Sequence, residues 1–153
     1  MREVDCFLDT NVLVYAVASD DEVAAKKDRA LELIETHRFA LSAQVLQEFY
    51  VTVTRKLQVP LTAERALEWI EQWDAFHCVV VDHHLVKVAA EISERYRTSY
   101  WDGAIIAAAE RAGTRLLYTE DLNDGQMYGS VRAVNPFSVS DDRVQESSTG
   151  YGR

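Results

Sequence analysis

The chain has 153 residues, 48% of them hydrophobic, which suits a single domain with one continuous core. A formal charge of −9 argues against a protein that grips nucleic acid through a broad basic face, because every phosphate contact needs a nearby cation. Apolar stretches near the N-terminus are interrupted by Asp5, Asp9 and Asn11 and no run reaches membrane-spanning length, so neither a signal peptide nor a membrane protein is expected, but a soluble cytoplasmic one.

Residues 3–8 read as a short buried strand, and Asp9-Thr10-Asn11 can start a helix over the following VLVYAVAS. A second helical segment covers roughly 21–37, and RFAL at 38–41 reads as a strand. Ser42 is placed to cap a long helix in which Leu46, Phe49, Tyr50, Val53 and Leu57 recur at helical spacing. Thr62 can cap the next helix, whose stripe of Ala66, Trp69, Ile70 and Trp73 reads as core. CVVV at 78–81 is a third predicted strand, followed by an Asp82 cap and a helix over 83–97, with His83 and His84 at its exposed start. Ser99 opens another helix that stops at Gly113, LLYT at 116–119 is a fourth strand, 119–125 an acidic loop and VRAV at 131–134 a possible fifth strand. The single domain is expected to end near residue 138, and the polar residues 139–153 to form a frayed tail. Cys6 and Cys78 sit in short apolar runs without metal-ligand or redox spacing, so each is expected to be a buried thiol.

Strands alternating with helices imply an α/β fold, a three-layer α/β/α arrangement around a mostly parallel sheet of four or five strands. Ligands bind such sheets at the carboxyl ends of the strands, and Asp9 and Asp121 both follow predicted strands on that edge. Each acid also has a structural reading. Asp9 can cap a helix, Glu48 can be a solvated flank residue, and Asp102 can complete a capping box with Ser99. Asp121 and Asp124 can stabilise the turn TEDLNDG. Convergence favours a site: these acids would meet only in an α/β fold of this connectivity, and carboxylates that close repel unless a cation neutralises them. Oxygen ligands without His or Cys suit Mg²⁺ or Mn²⁺ rather than Zn²⁺.

At these residues the chain resembles the PIN-domain nucleases, and within them the VapC-type toxins of bacterial toxin–antitoxin pairs. The stretches that carry the resemblance are DTNVLVYA at 9–16, SAQVLQEFY at 42–50, SYWDGAIIAAA at 99–109 and LLYTEDLNDG at 116–125. It implies that Asp9, Glu48 and Asp102 are the three core catalytic and metal-binding acids, that Asp121 is the more variable fourth, and that Asp124 replaces or assists it. Thr10, Asn11 and Thr119 fall where the family orients those acids. Gly103 stands where the family more often has alanine, at a cost of about 1 kcal/mol in helix propensity, and is expected to leave the pocket beside Asp102 open.

The resemblance implies an endoribonuclease in which Mg²⁺ or Mn²⁺ activates water for in-line attack on an RNA phosphodiester, leaving a 5′-phosphate and a 3′-hydroxyl. Arg55, Lys56, Arg95 and Arg97 are the candidate phosphate contacts. The acidic charge suits a basic partner segment, which by resemblance is an antitoxin, and a homodimer is implied as well. Two other readings compete. A haloacid-dehalogenase-like phosphatase needs a second Asp two residues after the first, where this chain has Asn11; a non-catalytic PIN-like binding module is disfavoured by retention of the acids. No glycine-rich loop follows a strand, which leaves nucleotide binding without a motif.

Overall fold

The computed structural model describes residues 4–138, so the tail expected over 139–153 lies outside the described residues. In chain order the elements are β1 (Cys6–Leu8), α1 (Thr10–Val17), α2 (Ala24–Thr36), β2 (Phe39–Ser42), α3 (Ala43–Arg55), α4 (Ala63–Gln72), β3 (His77–Val79), α5 (His83–Tyr96), α6 (Tyr100–Arg111), β4 (Leu116–Tyr118), β5 (Met127–Tyr128) and β6 (Val131–Val134). Four of these helices begin at a hydroxyl or carboxylate that accepts from the backbone N–H three residues on, satisfying a free donor. Ser42 accepts from the Val45 N–H at 3.2 Å, Thr62 from Arg65 at 3.1 Å, Asp82 from Leu85 at 2.8 Å and Ser99 from Asp102 at 3.0 Å.

The sheet has the order β3-β2-β1-β4-β6-β5, and every pairing is parallel except β5 with β6. It holds six strands, not four or five, because Met127–Tyr128 folds back on Val131 and Arg132 as a two-residue antiparallel strand too short to carry a periodic signal. The chain steps outward from β1 through β2 to β3 and then crosses back to β4. Right-handed crossovers therefore place α1–α4 on one face and α5–α6 on the other, giving three layers. The reversal falls between β1 and β4, the position at which sheets of this kind open a crevice at their carboxyl edge.

The core is continuous through the sheet: Phe7, Leu8, Phe39, Leu41 and Leu117 are fully buried on the strands, under Leu13, Leu33, Phe49 and Ile106 from the helices. Two expectations change at the sheet's edge. β3 is an edge strand that covers His77–Val79 rather than 78–81; Val79 is buried, but Val80 at 63% and Val81 at 45% follow the strand and are exposed. Cys78 is consequently exposed, whereas Cys6 on central β1 is buried as expected. Among the described residues no helix is long and apolar enough to cross a membrane.

One buried acid is purely architectural. Asp20, 5% exposed, accepts from the backbone N–H groups of Gln58 at 2.7 Å and Val59 at 3.0 Å, tying the α1–α2 connection to the α3–α4 connection. Asp20→Ala removes two charge-assisted bonds and is expected to cost about 1.5–3 kcal/mol in urea unfolding. A loss below measurement error would show that the two loops hold each other without it.

Candidate active site

Asp9 ends the turn from β1 into α1. It is 3% exposed, and its carboxylate both caps α1, accepting from Thr10 N–H at 2.6 Å, and accepts from the Thr119 hydroxyl at 2.7 Å. The capping and the site readings of Asp9 are thus compatible, one oxygen serving each bond. Thr119, itself buried just beyond β4, also accepts from the Asp121 N–H at 3.0 Å. A single hydroxyl therefore holds the loop bearing Asp121 against Asp9 at the point between β1 and β4 where the strand order reverses.

The other two acids arrive on helices. Glu48 lies on α3 and is half-buried rather than solvated: Thr10 donates its hydroxyl to one carboxylate oxygen at 2.8 Å, and Gln44 donates to the other at 3.0 Å. Gln44 also donates to the Trp101 carbonyl at 3.3 Å, which joins α3 to the first turn of α6 next to Asp102. Asp102 donates its backbone N–H to the Ser99 hydroxyl at the helix cap, and its half-buried carboxylate feels the charges of Asp121 and Glu48. Asn11 donates to Asp121 at 3.2 Å. Thr10, Asn11 and Thr119 thus each touch at least one of the four acids.

The four share one electrostatic environment. Burial, reinforced by the charges of Asp121 and Glu48, pushes the Asp9 carboxyl up to about 7 against the opposing bonds from Thr119 and Thr10. Burial and the charges of Asp121 and Glu48 raise Asp102 as well. Asp121 is raised by burial and then by Glu120 and Glu48, with the Asn11 bond opposing. Glu120 is itself tied back, hydrogen-bonded to the Tyr15 hydroxyl and paired with Lys26 at 2.9 Å, under a Tyr15–Phe137 edge contact.

Among the described residues no three His, Cys, Asp or Glu side chains stand as a preformed cation-holding group. The oxygens are instead turned onto the hydroxyl, amide and backbone donors just described. The donor set nevertheless fits a hard divalent cation: four oxygen acids, three of which (Asp9, Asp102 and Asp121) have their proton affinity raised in part by neighbouring carboxylates, and beside them the Asn11 Oδ1, buried and without a hydrogen-bond partner. An acceptor in that position is suited to a water that a cation would orient.

The remaining predicted residues separate. Asp124 accepts from the Asn135 N–H at 2.8 Å and fastens the end of its loop to the residue after β6, so its bond serves the loop and not the acid cluster. Of the basic candidates, Lys56 shares the wall of a cavity with Glu48; Arg55 is exposed at the end of α3, Arg95 lies over the Tyr96 ring and Arg97 holds the left-handed end of α5. Gln44 and Trp101 were not singled out from the sequence, although the i, i+4 spacing of Gln44 and Glu48 on one helix face is a signal for the first of them. Gly103 does not open the pocket. A Cβ there would stand 2.6 Å from the Ala89 carbonyl and 3.0 Å from Ser93, so the glycine lets α6 lie directly on α5.

A PIN-domain family model matches residues 6–124, a span that contains all four acids. The chain belongs to the PIN-domain family. No curated protein sequence matches it significantly. Solved PIN-domain structures share the fold at low identity. The VapC20 toxin of Mycobacterium tuberculosis, described as cleaving the sarcin–ricin loop, is 21% identical with a TM-score of 0.64, over 78% of this chain and 92% of that one. A chain of a toxin–antitoxin complex from Klebsiella pneumoniae is 15% identical with a TM-score of 0.65, over 88% of this chain and 100% of that one. A chain of DNA-bound VapBC from Salmonella typhimurium is 20% identical with a TM-score of 0.55, over 85% and 96%.

Proposed function

We propose that this PIN domain is a divalent-cation-dependent endoribonuclease and the toxin of a toxin–antitoxin pair. The observation that carries the reading is the Thr119 hydroxyl, which joins Asp9 to the Asp121 loop at the point where the sheet reverses, with Thr10 joining Asp9 to Glu48. Asp9, Glu48, Asp102 and Asp121 would hold Mg²⁺ or Mn²⁺; Asp121 is preferred to Asp124 as the fourth acid because Asp124 is committed to Asn135. When bound, the cation supplies a lowered water pKa and neutralises phosphoryl charge.

The chain's own groups do the rest. Thr10, Thr119 and Asn11 fix the carboxylate orientations, and the buried wall of β1 and β4 under Asp9 keeps bulk water from competing there. Substrate phosphates have few cations to meet on a chain of charge −9; of the candidates Lys56, Arg55, Arg95 and Arg97, Lys56 shares a cavity wall with Glu48. The same charge favours a basic inhibitory segment. The toxin–antitoxin complexes among the structural relatives support an antitoxin partner; a cytoplasmic setting and a homodimer complete the proposal.

The test maps the 5′ ends of cellular RNAs after induced expression of wild type and of Asp102→Asn. New 5′-phosphate ends are expected with wild type only, and identical end profiles would remove the nuclease reading. Turnover of an aryl phosphate without RNA cleavage would instead select a phosphatase. In calorimetry Mn²⁺ is expected to bind wild type and to stabilise it by about 2.7 kcal/mol at a hundredfold excess over Kd. Asp102→Asn is expected to lose most of that gain, and equal gains in both proteins would take Asp102 out of the ligand set.

A further inference from the structure

Beside the acids runs a second feature that the proposed chemistry does not use. Trp101 immediately precedes Asp102 on α6, yet its indole is 63% exposed, held at its inner edge against Tyr100 with ring centroids 5.0 Å apart. It forms one wall of a cavity of about 360 Å³ whose other walls are Gln47, Glu48, Val51, Thr52 and Lys56. These positions lie on one stripe of α3 and its C-terminal cap, and the eight steps from Glu48 to Lys56 span about 12 Å of helix axis. The groove thus starts at an acid of the site, passes between an exposed indole and the apolar Val51, and ends at a cation.

We propose that this groove holds the nucleotide flanking the scissile phosphate of a single-stranded RNA, with its base stacked on Trp101 and its outer phosphate met by Lys56. This rests on the nuclease reading and extends it to substrate recognition. Three observations favour an unpaired nucleotide as the occupant. An indole left open to solvent beside a cluster of acids offers a flat apolar face to something planar, and every base has a π-face. The cavity sits at the low end of the ~300–1,000 Å³ typical of ligand pockets, a size for one ring system and not for a duplex. Charge runs in order along it, acid at the metal-binding end and Lys56 at the far end, which matches a phosphodiester strand whose reacting phosphate is bridged by a cation and whose next phosphate needs one.

The floor of the groove is also tied to the reacting end. Gln44 donates both to Glu48 and to the Trp101 carbonyl, so the indole-bearing turn and the acid are set by one amide. A base seated on Trp101 is therefore registered against the acids, and the stack selects which phosphate is presented. Trp101 acts here as a substrate-binding residue and Gln44 as a positioning residue.

The experiment uses an oligoribonucleotide spanning a cleavage site mapped for the wild-type protein, and a set of the same strand with one abasic position moved along it. Trp101→Ala is expected to raise KM for the intact strand, and Kd measured in an Asp9→Asn background, about tenfold to a hundredfold, with kcat changed less than about threefold. Trp101→Phe should retain most of the affinity. One abasic position next to the cut should weaken wild type by a similar factor and Trp101→Ala no further, and Lys56→Ala should lower the salt dependence of binding. Unchanged KM and Kd in Trp101→Ala, or equal abasic penalties in both proteins, would overturn the subsite while wild-type cleavage leaves the nuclease reading standing. Trp101→Ala that binds RNA normally but falls apart from a dimer to a monomer in sedimentation would give the indole to a contact between copies and overturn it too. Wild type that neither binds nor cuts RNA would overturn both.

Discussion

Asp9→Asn is expected to lose about a hundredfold or more in RNA cleavage, the scale of removing one preorganised electrostatic group, while gaining stability at alkaline pH when divalent cations are chelated. The two effects have one cause. The Asp9 carboxyl is raised from 3.8 to about 7 by its burial and by Asp121 and Glu48, so above that pH the folded protein carries a buried charge that the unfolded chain solvates freely. Because the folded pKa is the higher one, the folded state holds the extra proton between 3.8 and about 7, and wild-type stability should fall as pH rises through that window. The contribution is on the order of 4 kcal/mol when complete, fully present below the unfolded value and lost above the folded one. Asparagine keeps an acceptor for the Thr10 N–H, can turn its amide to Thr119, and does not ionise. Urea unfolding from pH 4.5 to 8.5 in chelator should therefore show a falling curve for wild type and a flatter one for Asp9→Asn, the variant being the more stable at pH 8. Parallel curves, or a less stable variant at pH 8, would mean that Asp9 is not held against its own charge. Added Mn²⁺ should reverse the order at pH 8, since only wild type presents a full set of carboxylates.

Gly103→Ala sets two rules against each other. Helix propensity favours alanine by about 1 kcal/mol, and the family resemblance points the same way. The new methyl, however, would meet the Ala89 carbonyl at 2.6 Å and the backbone nitrogen of Ser93 at 3.0 Å. Those neighbours are main-chain atoms of α5, which cannot rotate aside, so α6 must move off α5. Overpacking of this kind costs about 1–3 kcal/mol, enough to outweigh the propensity gain, and Gly103→Val should exceed it. The displaced helix begins at the Ser99 cap and carries Trp101 and Asp102, so cleavage should fall together with the melting temperature. A Gly103→Ala protein as stable as wild type would show that the two helices separate at no cost.

The architecture was readable because much of it is local. Ser42, Thr62, Asp82 and Ser99 each cap a helix through a residue three positions on, a relation that the sequence displays directly. Asp9 and Asp121 were placed on one edge by strand order alone. What escaped depends on partners remote in sequence. An apolar run such as CVVV looks the same on a central strand as at edge strand β3, where Cys78 is exposed and the strand ends before Val80. The helix-propensity penalty of Gly103 is visible in its own helix, but its benefit lies on α5. The choice between Asp121 and Asp124 turned on the backbone of Asn135, and the Lys26–Glu120 pair spans 94 residues. Trp101 was passed over because exposure at a helix start beside a buried face cannot be read from spacing.

The loop that presents Asp121 leans on the last strand. The Thr119 N–H donates to the Val134 carbonyl at 3.0 Å, the Asn135 N–H to the Asp124 carboxylate at 2.8 Å and the Arg29 guanidinium to the Pro136 carbonyl at 3.1 Å, while Phe137 closes over Tyr15 and Lys26. A nascent polypeptide still lacking residues 131–137 has three of the acids but no scaffold for the fourth. The acid cluster is thus completed only at the end of the domain's translation, so any activity that depends on it stays unassembled for nearly the whole time the domain is being read.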